Sequence, residues 1–172
     1  MSLLTIRTYP DPVLRQICDP VDHFDSKLST LAADMAATMY AAPGVGLAAP
    51  QVGFTMRLMV IDVGAADGDS SLYSLVNPEI IEENGLATET EGCLSIPDLT
   101  EQIERPIYVV VRAQNLAGER VELDVGGLLA RVICHEVDHL NGVLFVDHLR
   151  GLRRDRMKRR LRRRFSEAGV PA

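Results

Sequence analysis

The sequence predicts an α+β fold, with antiparallel sheets packed around one central helix and a basic helix at its C-terminal end. Three observations carry this. Apolar residues recur at helical spacing before residue 42 and again from residue 126, with strand-like segments and turns between. Those strands follow one another without intervening helices, which separates α+β from the alternating α/β order. The segment 150–164, "RGLRRDRMKRRLRRR", holds ten of the 18 Lys and Arg residues and one of the 24 Asp and Glu residues.

The elements follow in order. "DPVLRQICDP" (11–20) reads as a short helical turn bracketed by Pro12 and Pro20. "DSKLSTLAADMAATMYAA" (25–42) reads as a helix with Leu28, Leu31, Met35 and Met39 on one face, Asp25 or Ser26 as its cap and Pro43-Gly44 as its stop. "RLMVIDV" (57–63) reads as a buried strand, and "SLYSLVNPEII" (71–81) as another, interrupted at Asn77-Pro78. "EQIERPIYVVVRAQN" (101–115) and "ERVELDV" (119–125), joined by "LAG", read as a hairpin. From Gly126 to Leu140 the pattern turns helical, with Asp124 as the expected N-cap and Gly142 as the stop. Apolar residues on most faces of this helix predict that it is buried and central. A last helix runs from about Leu152 to Phe165.

No linker or internal repeat divides the chain, and 172 residues suit one domain, 1–172, with the basic helix at 150–166. Hydrophobic residues at 47% and charged residues at 24% mark an ordinary globular composition. The longest uncharged stretch, Met35 to Met56, contains two prolines and three glycines, so no membrane association is expected. No leader pattern is expected, and three cysteines in no recurring pattern argue against a disulfide scaffold and for a reducing, cytoplasmic setting. The first 149 residues hold eight basic and 22 acidic residues, a net charge of −14, which argues against a DNA-binding body.

"HEVDHLNG" (135–142) carries the chemistry. Residues i and i+4 share a helix face, so His135 and His139 can aim at one point. Glu136 lies on the flank of that face, poorly placed to bind an ion but well placed to touch a water beside it. The surrounding helix is apolar, and burying imidazoles and carboxylates there is costly unless they are satisfied. A hydrogen-bonded pair of core histidines is the bland alternative. A catalytic metal site also needs a third protein ligand and an open position. Cys134 points about 100° away from His135 and cannot close the same site, and Cys18 reads as a packing residue. Cys93, in "EGCLSIP" (91–97), stays open between a ligand and a small buried hydrophobe. "GVGLAAPQVG" (44–53) matches the letters of a dinucleotide fingerprint, but a helix precedes it and Pro50 interrupts it, so it reads instead as a strand entry where backbone approaches a ligand. Gln51 at its end is either an oxyanion donor or a solvated loop residue.

Taken together, "GVGLAAPQ", "EGCLS" and "HEVDHLNG", in this order and at this spacing, resemble the three signature motifs of the peptide deformylases. The resemblance runs from "RTYPDPVLR" (7–15) to the basic C-terminal helix. It implies removal of the N-formyl group from formyl-methionyl nascent peptides, with release of formate. It implies Cys93, His135 and His139 as metal ligands, Glu136 as general base, and Gln51 with the Leu94 N–H as oxyanion donors. Gly46 would pair its backbone with the substrate, and Val45, Leu128, Arg131 and Val132 are expected around the methionine side chain. Ferrous iron is the implied metal, with Zn²⁺, Ni²⁺ or Co²⁺ able to substitute. The basic helix is expected to contact the ribosome. Asp138 stays open between a partner of the site and a solvated carboxylate, Glu89 and Thr90 are expected at the pocket rim, and His23 and His148 belong to no motif and are expected on the surface. Two rivals remain: an HExxH zinc peptidase, which would not need Gln51 or Cys93, and an RNA-binding module with a structural metal, which would tolerate loss of Glu136.

Overall fold

The computed structural model describes residues 2–64, 68 and 70–166. In chain order it contains α1 (Ser26–Ala41), β1 (Gly46–Ala48), β2 (Leu58–Ile61), β3 (Tyr73–Asn84), β4 (Ala87–Cys93), β5 (Ile96–Arg105), β6 (Tyr108–Gln114), β7 (Arg120–Gly126), α2 (Gly127–Leu140) and α3 (Gly151–Ser166). Short 3-10 turns occupy Pro12–Arg15, Ala49–Val52 and Phe145–His148. The fold is α+β: a five-stranded sheet in the order β1-β2-β3-β6-β7 and a two-stranded sheet β4-β5, every pairing of these strands being antiparallel.

Local chemistry explains most boundaries. The Asp25 carboxylate caps α1 by accepting the Lys27 and Leu28 N–H groups, each at 3.0 Å. The chain turns out of α1 at Pro43-Gly44, where the Gly44 N–H donates to Met39 O at 2.9 Å. Gly142, at φ 72°, takes the left-handed backbone that ends α2, and a Cβ there would lie 2.6 Å from Arg15 O.

Two expectations are corrected and one is refined. Asp124 does not cap α2: it lies in β7 and accepts a hydrogen bond from the Tyr108 hydroxyl, and the N-cap position is Gly126 with no side-chain bond. The interruption expected at Asn77-Pro78 is present but local. β3 runs through it with a register shift between Val76 and Glu79, Asn77 sits at φ 51°, and its amide donates to Val21 O at 2.9 Å. Residues 101–115 are not one strand: Pro106 parts β5, paired with β4, from β6, which forms the hairpin with β7. The proline lacks the N–H that a continuous ladder needs.

Three apolar clusters support the site. α2 packs through Ala130, Ile133 and Leu140 against Met59, Ile61, Val109 and Val111 of the large sheet, and Cys18 and Cys134 are buried in the same cluster. α1 packs through Leu28, Met35 and Met39 against Leu47, Leu58 and Val60. α3 is seated by Met157 and Leu161 against Ile96, Ile103 and Phe145. Its basic side chains Arg153 and Arg164 pair with Glu101 and Asp98 of β5.

Candidate active site

One face of β4 meets one face of α2. Alternate residues of a strand point the same way, so Glu89, Glu91 and Cys93 form a row about 7 Å apart. Residues four apart on a helix form a row about 6 Å apart, and here it is Arg131, His135 and His139. The two rows interlock. Arg131 Nε lies 3.1 Å from Glu89 Oε2 and its Nη1 3.2 Å from Glu91 Oε2. His135 Nδ1 lies 2.6 Å from Glu91 Oε1, and His139 Nε2 lies 3.2 Å from Cys93 Sγ.

The far nitrogens complete the cluster. His139 Nε2 and His135 Nε2 are 3.2 Å apart, and one donor atom from each of Cys93, His135 and His139 falls within 4.8 Å of the others. A tetrahedral ion with ordinary bond lengths would set its nitrogen ligands about 3.4 Å apart and a sulfur and a nitrogen about 3.6 Å apart. Three soft or borderline donors on nearly that spacing fit a divalent transition metal. Glu91 Oε1 takes the Nδ1 side of His135, so the ring turns its Nε2 toward the cluster.

The charges are set by burial and by partners. Burial opposes ionisation of Glu91, yet the hydrogen bonds from His135 and Arg105 outweigh it and hold its carboxyl at about 2. Burial also opposes a charge on His135, but its bonds to Cys93 and Glu91 prevail and raise its pKa. His139 is held neutral by burial and by the charges of His135 and Arg105. Glu136 is pushed up to about 7, first by burial. Its Oε2 is buried with no hydrogen-bond partner among the described residues. A carboxyl poised near neutrality and without a fixed bond suits proton transfer.

A cavity of about 440 Å³ opens onto these groups. Of the residues expected at the site, Val45, Gly46, Gln51, Cys93, Leu94, Leu128, Arg131, Val132, His135 and Glu136 line it, and so does Thr90 of the expected rim; His139 and Glu89 do not. Leu128 is half exposed at the rim, whereas Val132 is buried. Arg131 contributes more than an aliphatic stem: it is buried, and besides its two carboxylates it donates to Ile103 O at 3.1 Å and Ala87 O at 2.9 Å. Gln51 is 1% exposed. Its Oε1 accepts the Ala48 N–H at 2.8 Å, which turns the amide nitrogen toward Ser95 Oγ at 3.2 Å and Cys93 Sγ at 3.6 Å. β1 is the outer strand of its sheet, and Gly46 at its start borders the cavity.

Glu91, Ser95 and Arg105 were missed as site residues. Glu91 was legible in principle, because a carboxylate two residues before a candidate ligand in a strand shares its face. Arg105 has no motif; only folding brings its guanidinium onto Glu91, at 3.1 and 2.7 Å, and onto Asp138 at 2.6 Å. Asp138 is therefore a partner of the site, and His148 is not a solitary surface residue, since its Nε2 lies 2.7 Å from Asp138 Oδ2. Cys134 stays off the cluster, as its place on the helix requires, and burial raises its thiol to about 11.

An HExxH helix whose imidazoles meet a cysteine thiol beside a carboxylate of near-neutral pKa is the donor set of a metal-dependent hydrolase. The model of the polypeptide deformylase family matches residues 3–155. A peptide deformylase of Acidobacterium capsulatum is 48% identical over 163 residues, 95% of this chain and 96% of that one. A crystal structure of a peptide deformylase from Legionella pneumophila superposes with a TM-score of 0.88 at 43% identity, covering 99% of this chain and 100% of the other. One from Synechococcus elongatus in complex with actinonin superposes with a TM-score of 0.84 at 41% identity, covering 91% and 85%. The chain belongs to the polypeptide deformylase family, whose members remove the N-formyl group from nascent peptides in a metal-dependent hydrolysis.

Proposed function

We propose that the residues of this cavity carry the deformylation as follows, with the whole chain as one catalytic domain. Cys93, His135 and His139 hold one divalent ion, ferrous iron in the cell, with Zn²⁺, Ni²⁺ or Co²⁺ able to take its place. Once bound, such an ion supplies Lewis acidity, lowering the pKa of a water and polarising the formyl oxygen. Glu136 accepts the proton of the attacking water and returns it to the leaving amine. The Gln51 amide and the Leu94 N–H donate to the oxygen on which negative charge develops. The substrate backbone pairs along the edge of β1 at Gly46, and its methionine side chain enters between Val45, Leu128, Arg131 and Val132.

The observation that carries this reading is the Cys93–His135–His139 cluster beside the Glu136 carboxylate, whose Oε2 has no hydrogen-bond partner among the described residues. The test is formate release from a formyl-Met tripeptide by protein purified without oxygen and loaded with ferrous iron, with Glu136→Ala alongside. Formate from the parent and almost none from the metal-loaded variant is the expected result. Metal binding without formate from either would refute the assignment of roles, and cleavage of an internal amide would favour the zinc peptidase.

The basic helix α3 extends the reading to a partner. Its surface suits a ribosomal contact in the cytoplasm, close to emerging chains, and no helix among the described residues is long and apolar enough to cross a membrane. Binding to ribosomes should weaken steeply with salt and fall when residues 150–172 are removed; equal binding by the shortened chain would refute it.

A further inference from the structure

The substrate cavity lies on one side of α2. A second cavity, of about 490 Å³, lies against Cys134, Val137 and Asp138 of the same helix and is also lined by Arg105 and His148. From there a chain of hydrogen bonds runs inward. His148 Nε2 is 2.7 Å from Asp138 Oδ2. The same oxygen accepts from Arg105 Nη1 at 2.6 Å. Arg105 turns Nε and Nη2 to the two oxygens of Glu91 at 3.1 and 2.7 Å, and Glu91 Oε1 meets His135 Nδ1 at 2.6 Å.

We propose that His148 is the outermost positioning residue of the metal centre. It holds Asp138 on Arg105 from the far side of α2, and thereby steadies the carboxylate that orients His135. The inference rests on His135 being a metal ligand, as read above.

Exposure rises outward along the chain: the side chains of Arg105, Asp138 and His148 are 5%, 21% and 38% exposed. His148 is thus the cover between solvent and the Arg105–Asp138 pair. An ionised carboxylate only accepts, so the 2.7 Å contact makes Nε2 the donor to Asp138, with Arg105 Nη1 also 3.3 Å from it. Removing the ring lets water compete for Asp138 and screens its pull on Arg105. Arg105 is then held from one side only. Because its grip on Glu91 is bidentate, a tilt of the guanidinium moves the oxygen bonded to His135. Losing a direct partner of a metal-bound histidine costs about 10–100-fold in affinity, and a residue three partners further out should cost less, about three- to tenfold.

The test compares His148→Ala, His148→Gln and the parent by two readouts. One is the rate at which cobalt-loaded protein gives up Co²⁺ to excess chelator. The other is hydrogen exchange of the His135 Nδ1–H in the metal-free protein, followed by nitrogen-15 NMR. The expected result is about three- to tenfold faster metal loss and faster exchange for His148→Ala, with His148→Gln, which keeps a donor, close to the parent. Equal rates in all three would overturn the proposal. So would equal acceleration in both variants, because the hydrogen bond would then not be the cause. The exchange measurement needs no metal, so it fails or succeeds independently of the ligand assignment.

Discussion

Gly46→Ala tests the geometry of the base most directly. Gly46 sits on the outer strand β1, opposite Ile61 of β2, so the substitution leaves the ladder intact. An added methyl would lie 2.5 Å from Glu136 Oε1 and 2.7 Å from Val132 Cγ1. Ordinary contact begins near 3.4 Å, so the Glu136 carboxylate must retreat by about 0.9 Å or the strand must lift. Val132 is branched at Cβ and buried and yields little. Misplacing a reacting group by about 1 Å costs roughly 100-fold in rate, equivalent to about 2.7 kcal/mol of barrier. Overpacking should also lower stability by about 1–3 kcal/mol. The assay is formate release together with metal content and urea unfolding. About 100-fold slower turnover with a full metal complement and a folded protein is expected, because Cys93, His135 and His139 are untouched. Parent-like turnover would refute the reasoning, since Glu136 would then not need the space that the glycine leaves.

Three further outcomes follow from the same packing. Glu91→Gln removes the charge between Arg105 and Arg131, so metal should be lost about 10–100-fold faster and stability should fall by about 3 kcal/mol, read by chelator competition and urea unfolding. Phe145→Ala deletes a ring that is 1% exposed and stacks 6.3 Å from the His135 ring; unfolding should cost about 3–5 kcal/mol less, and an unchanged urea midpoint would contradict the packing described. Asp62 accepts from Ser70 Oγ and Tyr40 Oη, at 2.5 and 2.8 Å, and from the Ser71 and Gly64 N–H groups, and these bonds hold its carboxyl at about 2, below the ordinary 3.8. The folded value is depressed, so this stabilisation is present above pH 4 and disappears as pH falls toward 2; the stability gap between parent and Asp62→Asn should close over that window in urea titrations.

What could be read from the chain alone was local. Helix spacing is a property of a dozen neighbouring residues, so α1, the HExxH face of α2 and the amphipathic α3 were visible without their partners. The stop at Gly142 was visible for the same reason, because a left-handed backbone favours glycine wherever it occurs. Motif order was enough for Cys93, Gln51 and the two histidines, since the resemblance rests on residues and spacing rather than on contacts. The errors lay where local signals were ambiguous. Residues 101–115 alternate like a single strand, and only pairing with β4 on one side of Pro106 and with β7 on the other reveals two sheets. The interruption at Asn77-Pro78 was legible, but not that the strand resumes beyond it, where Val21 closes on the asparagine side chain from 56 residues away.

The network behind the histidines belongs wholly to the tertiary structure. Glu91, Arg105, Asp138 and His148 are spread over 58 residues and four elements, and no spacing rule links them. The sequence determined which groups can bind a metal and move a proton, because those capacities belong to single side chains. Folding alone decided which nitrogen of His135 faces the cluster and whether Glu136 is neutral near pH 7. Those outcomes depend on desolvation and on partners that reach the site only when β4 and β5 close over α2.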